Sequence, residues 1–160
     1  MRFLLRNSDP RAAAHPAPAP HFELGQRGET LALEHLEQAG YQIVAANVSL
    51  PVGRNRRDVV VNAELDIVAY DGPVLCFVEV KTRASDEFAS PQANVDLRKR
   101  RQIARAGLAY RRMLGLMDRP YRYDVVTVVL ADTARPRIQL IRNFWSDETR
   151  RRRTSYYHWD

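Results

Sequence analysis

Residues 63–83 read AELDIVAYDGPVLCFVEVKTR: two apolar runs joined by the turn Asp71-Gly72-Pro73, each carrying acid in a stretch otherwise built for burial. Alternation and turn together predict a β-hairpin. Side chains two positions apart share a face of a strand, so Leu75, Phe77, Glu79 and Lys81 are expected on one side and Cys76, Val78 and Val80 on the other. By the same rule Glu64 and Asp66 share a face of the first strand, with Leu65 and Ile67 opposite. Two carboxylates about 4 Å apart repel by roughly 4 kcal/mol at an effective dielectric near 20, so burying a pair requires a cation between them.

The fitting ion is Mg²⁺ (or Mn²⁺), which takes one or two carboxylates and completes its octahedron with waters and phosphate oxygens. The four histidines are scattered, and Cys76 is the only cysteine. An Asp and then, about a dozen residues on through a turn, Glu-x-Lys is the chemical signature of metal-dependent phosphodiester cleavage. Asp66, Glu79 and the Val80 carbonyl would hold the metal. Lys81 would orient or deprotonate a water and stabilise charge developing on phosphorus. Glu-x-Lys alone is common by chance and usually a surface ion pair; the hairpin acid before it and the helical residues Glu29 and Lys99 are what raise its weight.

Outward from the hairpin, ELGQRGETLALEHLEQAG (23–40) predicts a helix, with Leu24, Gly28, Leu31, Ala32, Leu36 and Ala39 as its stripe and Gly40 as its stop. Glu29 borders that stripe. YQIVAANVSL (41–50) reads as a strand preceding the hairpin. After the loop 84–91, a helix is expected from near Gln92, its apolar side running through Val95, Ile103, Ala106, Tyr110 and Met113 or Leu114, with Lys99 on that side. YDVVTVVL (123–130) has the pattern of a strand buried on both faces, and RIQLI (137–141) that of an edge strand. The expected order is α-β-β-β-α-β-β.

The 160 residues are enough for one core, expected over 22–143, with an Ala/Pro-rich tail at 1–21 and a basic tail at 144–160. No apolar segment approaches the roughly 20 residues that span a bilayer, and the apolar start is too short for an export signal; no membrane partner and a cytoplasmic location are expected. Buried in an apolar strand, Cys76 reads as a core residue rather than a reactive thiol. Net charge is +6, and basic residues cluster at 54–57, 98–101 and 150–153. Such clusters pair with phosphate and release counterions, which points to a nucleic acid; Arg54, Arg56, Arg57, Arg83, Lys99, Arg100 and Arg101 are the candidate contacts.

Taken together, GQRGETLALEHLEQAGYQIVAANV, AELDIVAYDGPVLCFVEVKTR, FASPQANVDLRKRRQIARAGLAY and RYDVVTVVL, over roughly residues 25–130, resemble the YraN family of endonuclease-like proteins in the PD-(D/E)XK superfamily. That superfamily includes restriction endonucleases and archaeal Holliday-junction resolvases. The resemblance implies a restriction-endonuclease-like α/β core, a mixed five-stranded sheet flanked by helices, with its site at Asp66, Glu79 and Lys81. Carried over by position, Glu29 is the first-helix acid that completes the metal site, Lys99 the basic residue of the second helix and Glu64 the other hairpin acid. Asp124 also aligns, and its place at the start of a buried strand favours a structural hydrogen bond. The chain departs from the family pattern at Ala63 and Ala89, where glycines are usual, in the lengthened hairpin PVGRNRRDVVVN, and in lacking an arginine after Asn47.

The expected function is Mg²⁺-dependent hydrolysis of DNA, on a branched or damaged substrate by fold-level analogy. The alternatives are a non-catalytic nucleic-acid-binding module on the same fold, which would bind DNA but no metal, and a protein-interaction scaffold with a solvated basic surface, which would bind no DNA near physiological salt. A homodimer through the first helix or RIQLI would suit a two-fold-symmetric substrate.

Overall fold

The computed structural model describes residues 20–85, 95–131 and 135–146, with side chains from residue 22. The sequence-assigned tails fall largely outside these residues, as does the stretch from residue 86 to 94 where the second helix was expected to begin. The elements are α1 (Pro20–Gln38), β1 (Gln42–Arg54), β2 (Val60–Asp71), β3 (Val74–Arg83), α2 (Leu97–Met113), β4 (Tyr121–Val129) and β5 (Arg137–Trp145). The sheet order is β1-β2-β3-β4-β5. β3 and β4 are parallel, joined by the α2 crossover, and the other neighbours are antiparallel. The expected order and the mixed five-stranded sheet are therefore present, and the fold is restriction-endonuclease-like. Among the described residues, no helix is long and apolar enough to cross a membrane.

One helix covers each face. Ala32 and Leu36 of α1 pack with Ile67, Ala69, Cys76, Val78, Val126 and Val128, whereas Ile103, Ala106 and Tyr110 of α2 pack with Leu65, Val68, Leu75, Phe77, Tyr123 and Val125. β4 feeds both cores, as its β-branched run requires. α1 ends at Gly40, whose φ of 88° suits glycine; the Gly40 N–H donates to Glu37 O and the Tyr41 N–H to Leu36 O, a Schellman closure. Cys76 is fully buried, and burial, followed by the charge of Asp124, pushes its thiol up to about 12, so it is an inert core residue.

Gly28 sets how closely α1 approaches the sheet. A Cβ there would lie 1.8 Å from Thr82 Oγ1 and 2.6 Å from Thr82 Cγ2, so Gly28→Ala is expected to push α1 off β3 and cost about 1–3 kcal/mol in urea unfolding. An unchanged midpoint would mean that Thr82 moves aside freely.

α2 begins at Leu97, with Asp96 as its N-cap: Asp96 Oδ1 accepts from the Lys99 N–H at 2.7 Å. Val95, Ile103, Ala106 and Tyr110 are buried as the periodicity required, but Met113 and Leu114 are 63% and 50% exposed. Arg111 occupies the last inward position instead. Its guanidinium lies 3.7 Å from the centre of the Tyr121 ring and donates to Met117 O at 2.7 Å, so a stacked cation closes the core where the apolar stripe predicted a methionine or leucine. β5 continues past Ile141 through Phe144 and Trp145, residues assigned from the sequence to the tail. Trp145 stacks on Tyr123 with centroids 4.8 Å apart.

The strict alternation expected of β2 fails at one place. Leu65 and Ile67 do not share a face: Leu65 joins the core under α2 and Ile67 the core under α1, while Val68 returns to the α2 side. The side-chain phase slips by one residue at Asp66.

Candidate active site

The site is a fork between two strands. β2 and β3 pair from Asp71↔Val74 to Ile67↔Val78 and then part, so Asp66 and Glu79 are the first residues on the two opening limbs. The β3 limb stays in the sheet against β4, with Glu79↔Val125 and Lys81↔Thr127 in register. The other limb, Val60–Asp66, pairs only with β1 among the described residues and projects about 20 Å beyond the fork.

At the fork Asp66 takes the place of the lost ladder: the Val80 N–H donates to Asp66 Oδ2 at 2.8 Å. N–H and C=O of one strand residue point to the same neighbour, so the Val80 carbonyl is directed toward this limb as well. Glu79, only 2% exposed, emerges where the apolar run Leu75–Phe77 ends on the α2 side. Lys81 Nζ lies 2.9 Å from Glu79 Oε1, and Lys99 Nζ lies 3.2 Å from Glu79 Oε2 and 4.0 Å from Asp66 Oδ1. Lys99 is therefore the ion-pair partner of the buried Glu79 Oε2, at an angle that falls short of a well-aligned hydrogen bond.

The electrostatics follow from this crowding. Burial, and then the negative charge of Glu79, push the Asp66 carboxyl up to about 7 against the opposing pull of the Val80 amide and Lys99. Burial works against the Lys99 charge, but Asp66 and Glu79 outweigh it and hold its pKa above the usual lysine value. The described residues contain no group of three or more His, Cys, Asp or Glu side chains placed to share a metal. Two carboxylates and a carbonyl are nonetheless a hard oxygen donor set of the size Mg²⁺ uses, and the mutual repulsion of Glu79 and Asp66, which disfavours the Asp66 charge, is relieved by a divalent cation. The residues fit the ion.

The remaining expected site residues are more dispersed. Glu29 is half-buried on α1, one residue from the Gly28–Thr82 contact, and its Oε2 accepts from Asn47 Nδ2 at 3.1 Å. Glu64 is exposed, though its charge is felt at Lys99. Arg54 is tied to its own turn, 3.5 Å from Asp58, and Arg56 and Arg57 stand exposed at the tip of the projecting β1–β2 arm. Arg100 donates to Val95 O and lies over the Phe144 ring at 5.1 Å, a packing role that the basic run did not reveal. Arg101 is exposed, and Arg83 is half-buried at the end of β3.

Asp124 has the structural role its position favoured. Fully buried, it accepts from the Tyr41 hydroxyl (2.9 Å), Arg122 Nε (2.9 Å) and the Asn143 N–H (2.8 Å). Arg122 also reaches Asp71 Oδ2 at 2.6 Å, and Arg142 Nε reaches the Tyr41 hydroxyl at 3.1 Å. Burial, and then Asp124, push the Tyr41 hydroxyl up to about 12, so it stays a donor. None of these partners carried a recognisable spacing in the sequence. Asn47, the residue opposite the slip at Asp66, was also missed; its only signal was an asparagine inside a strand-forming run.

An acid on each limb of a strand fork, with Glu-x-Lys on the second, is the PD-(D/E)XK arrangement, carried here by a restriction-endonuclease-like sheet. Residues 28–128 match the uncharacterised protein family UPF0102. Relatives include UPF0102 proteins of Koribacter versatilis (38% identical over 128 residues, 80% of this chain and 82% of the relative) and Geobacter sulfurreducens (40% over 120 residues, 75% and 86%). One from Porphyromonas gingivalis is 44% identical over 122 residues, 76% of this chain and 82% of the relative. The chain belongs to the UPF0102 (YraN) family, a PD-(D/E)XK-like nuclease family.

Proposed function

We propose that this protein is a divalent-cation-dependent endonuclease that hydrolyses DNA phosphodiester bonds, with branched or damaged DNA as its substrate class. The observation that carries this reading is the fork itself: two opposed carboxylates, one of them almost fully buried, within reach of two lysines. Asp66, Glu79 and the Val80 carbonyl would hold Mg²⁺ or Mn²⁺, with Glu29 as a further acid on the α1 side of the sheet. When bound, such an ion supplies Lewis acidity to a phosphoryl oxygen and lowers the pKa of water.

The chain's own groups do the rest. Lys81, half-exposed beside Glu79, orients the attacking water and offers positive charge to the oxygens on which charge develops in the transition state. Lys99 balances the two acids in the free protein and turns to a phosphate when the cation takes that role. The projecting arm with Arg56 and Arg57, and Arg83 and Arg101 nearer the sheet and α2, supply the sequence-independent grip on phosphates.

The test is incubation of the full chain with linear, single-stranded and four-way-junction DNA in Mg²⁺ or Mn²⁺. Strand cleavage that requires the cation, stops with chelator and is lost in Asp66→Ala and Glu79→Ala is expected. Cleavage that persists in both variants would sink the assignment. Salt-dependent DNA binding with no cation binding by calorimetry would instead make the fold a non-catalytic binding module.

A further inference from the structure

We propose that Asn47 is the positioning residue that turns Asp66 onto the face of Glu79; the role rests on the reading of Asp66 and Glu79 as a cation site, but its geometric core does not. The observation is a coupled slip in two strands. In β1, Ala45 and Val48, three residues apart, both pack into the core under α2; in β2, Leu65 and Val68, also three apart, do the same. Regular alternation puts residues three apart on opposite faces, so each strand changes phase once between these positions. The β1–β2 register runs Ala45↔Val68, Ala46↔Ile67, then Val48↔Leu65, and the only pair skipped inside this stretch is Asn47 opposite Asp66.

Without the slip, Asp66 would follow the buried Leu65 onto the opposite face, toward α1 and away from Glu79 and Lys99. With it, the carboxylate comes within 4.0 Å of Lys99 and caps the Val80 amide. In β1 the slip passes through a left-handed backbone at Asn47, φ 53°, whereas Asp66 on β2 changes phase beside it without a positive φ. Asparagine tolerates that region; β-branched residues do not. Glu29 of α1 accepts from the Asn47 side chain at 3.1 Å and so ties the slip to the helix on the other face.

The conformational origin makes a distinctive ranking. Glycine adopts positive φ freely, so Asn47→Gly should keep the site, whereas Asn47→Val should lose it although valine is the better strand former. Two measurements separate this from the function. Hydrogen exchange of the Val80 amide, with no metal present, reports whether Asp66 still caps it: protection should be retained in Asn47→Gly and reduced at least tenfold in Asn47→Val. Calorimetric titration with Mn²⁺ should follow the same order, within about threefold of the parent for glycine and at least tenfold weaker for valine. Circular dichroism confirms folding, and Asn47→Ala replaces the valine variant if that fails to fold. Parent-like Val80 protection in folded Asn47→Val or Asn47→Ala, or a glycine variant as impaired as these, overturns the proposal. The exchange ranking without Mn²⁺ binding by the parent would uphold the geometric role of Asn47 and refute the cation site instead.

Discussion

Asp66→Asn should lose at least about 100-fold in cleavage and yet be more stable than the parent protein above pH 7. Folded Asp66 holds its proton up to about pH 7, against an ordinary carboxyl value of 3.8, because burial and Glu79 disfavour its charge. The stability associated with that proton is complete below about pH 4 and is lost as pH rises through about 7. An asparagine keeps an oxygen for the Val80 N–H and turns an amide donor toward the Glu79 carboxylate, and it has no charge to lose. The expected gain near pH 8 is about 1–3 kcal/mol, since each pKa unit is worth about 1.4 kcal/mol and part of the burial cost remains for an amide. Mg²⁺ should restore the parent's stability at pH 8 and leave Asp66→Asn unmoved. Urea unfolding at pH 5 and pH 8, with and without Mg²⁺, reads all three effects. Parallel pH profiles for parent and variant would show that Asp66 carries no such penalty.

Asp124→Ala should be the most destabilising single change, costing about 3–5 kcal/mol. It removes the acceptor for the Tyr41 hydroxyl, Arg122 Nε and the Asn143 N–H at a site with no solvent exposure. Arg122 keeps Asp71, but Tyr41 and the Asn143 amide lose the acceptor that serves them. These groups tie the segment after α1, the start of β4 and the end of β5 together, so the loss should appear as one cooperative shift in the unfolding midpoint. A cost below about 1 kcal/mol would mean that water replaces the carboxylate without penalty.

The division between what could and could not be read from the chain is physical. Glu79, Lys81 and Lys99 were legible because period 2 in β3 and period 3.6 in α2 hold without interruption up to those residues. The same periodicity misplaced Leu65 relative to Ile67, because a single left-handed residue on the neighbouring strand resets the phase, and no rule confined to β2 detects it. Met113 and Leu114 were assigned inward on polarity, while the observed occupant is Arg111, whose stem and flat head pack on Tyr121 as an apolar side chain would. Arg54 and Arg100 looked like phosphate contacts within basic runs; the fold uses both for local bonds to backbone carbonyls. Asp124 was placed correctly because a carboxylate entering a run buried on both faces must be hydrogen-bonded, although its partners come from sequence positions up to 83 residues away.

On the proposed reading, Asp66 and Glu79 form one divalent-cation site at the strand fork. A crystal of the full chain soaked in Mn²⁺ at pH 8 tests it most directly. The expected result is an anomalous peak bridging the Asp66 and Glu79 carboxylates next to the Val80 carbonyl, with Lys99 withdrawn from Glu79. A well-ordered fork with no peak, both lysines still on Glu79 and Asp66 still on the Val80 amide would contradict it.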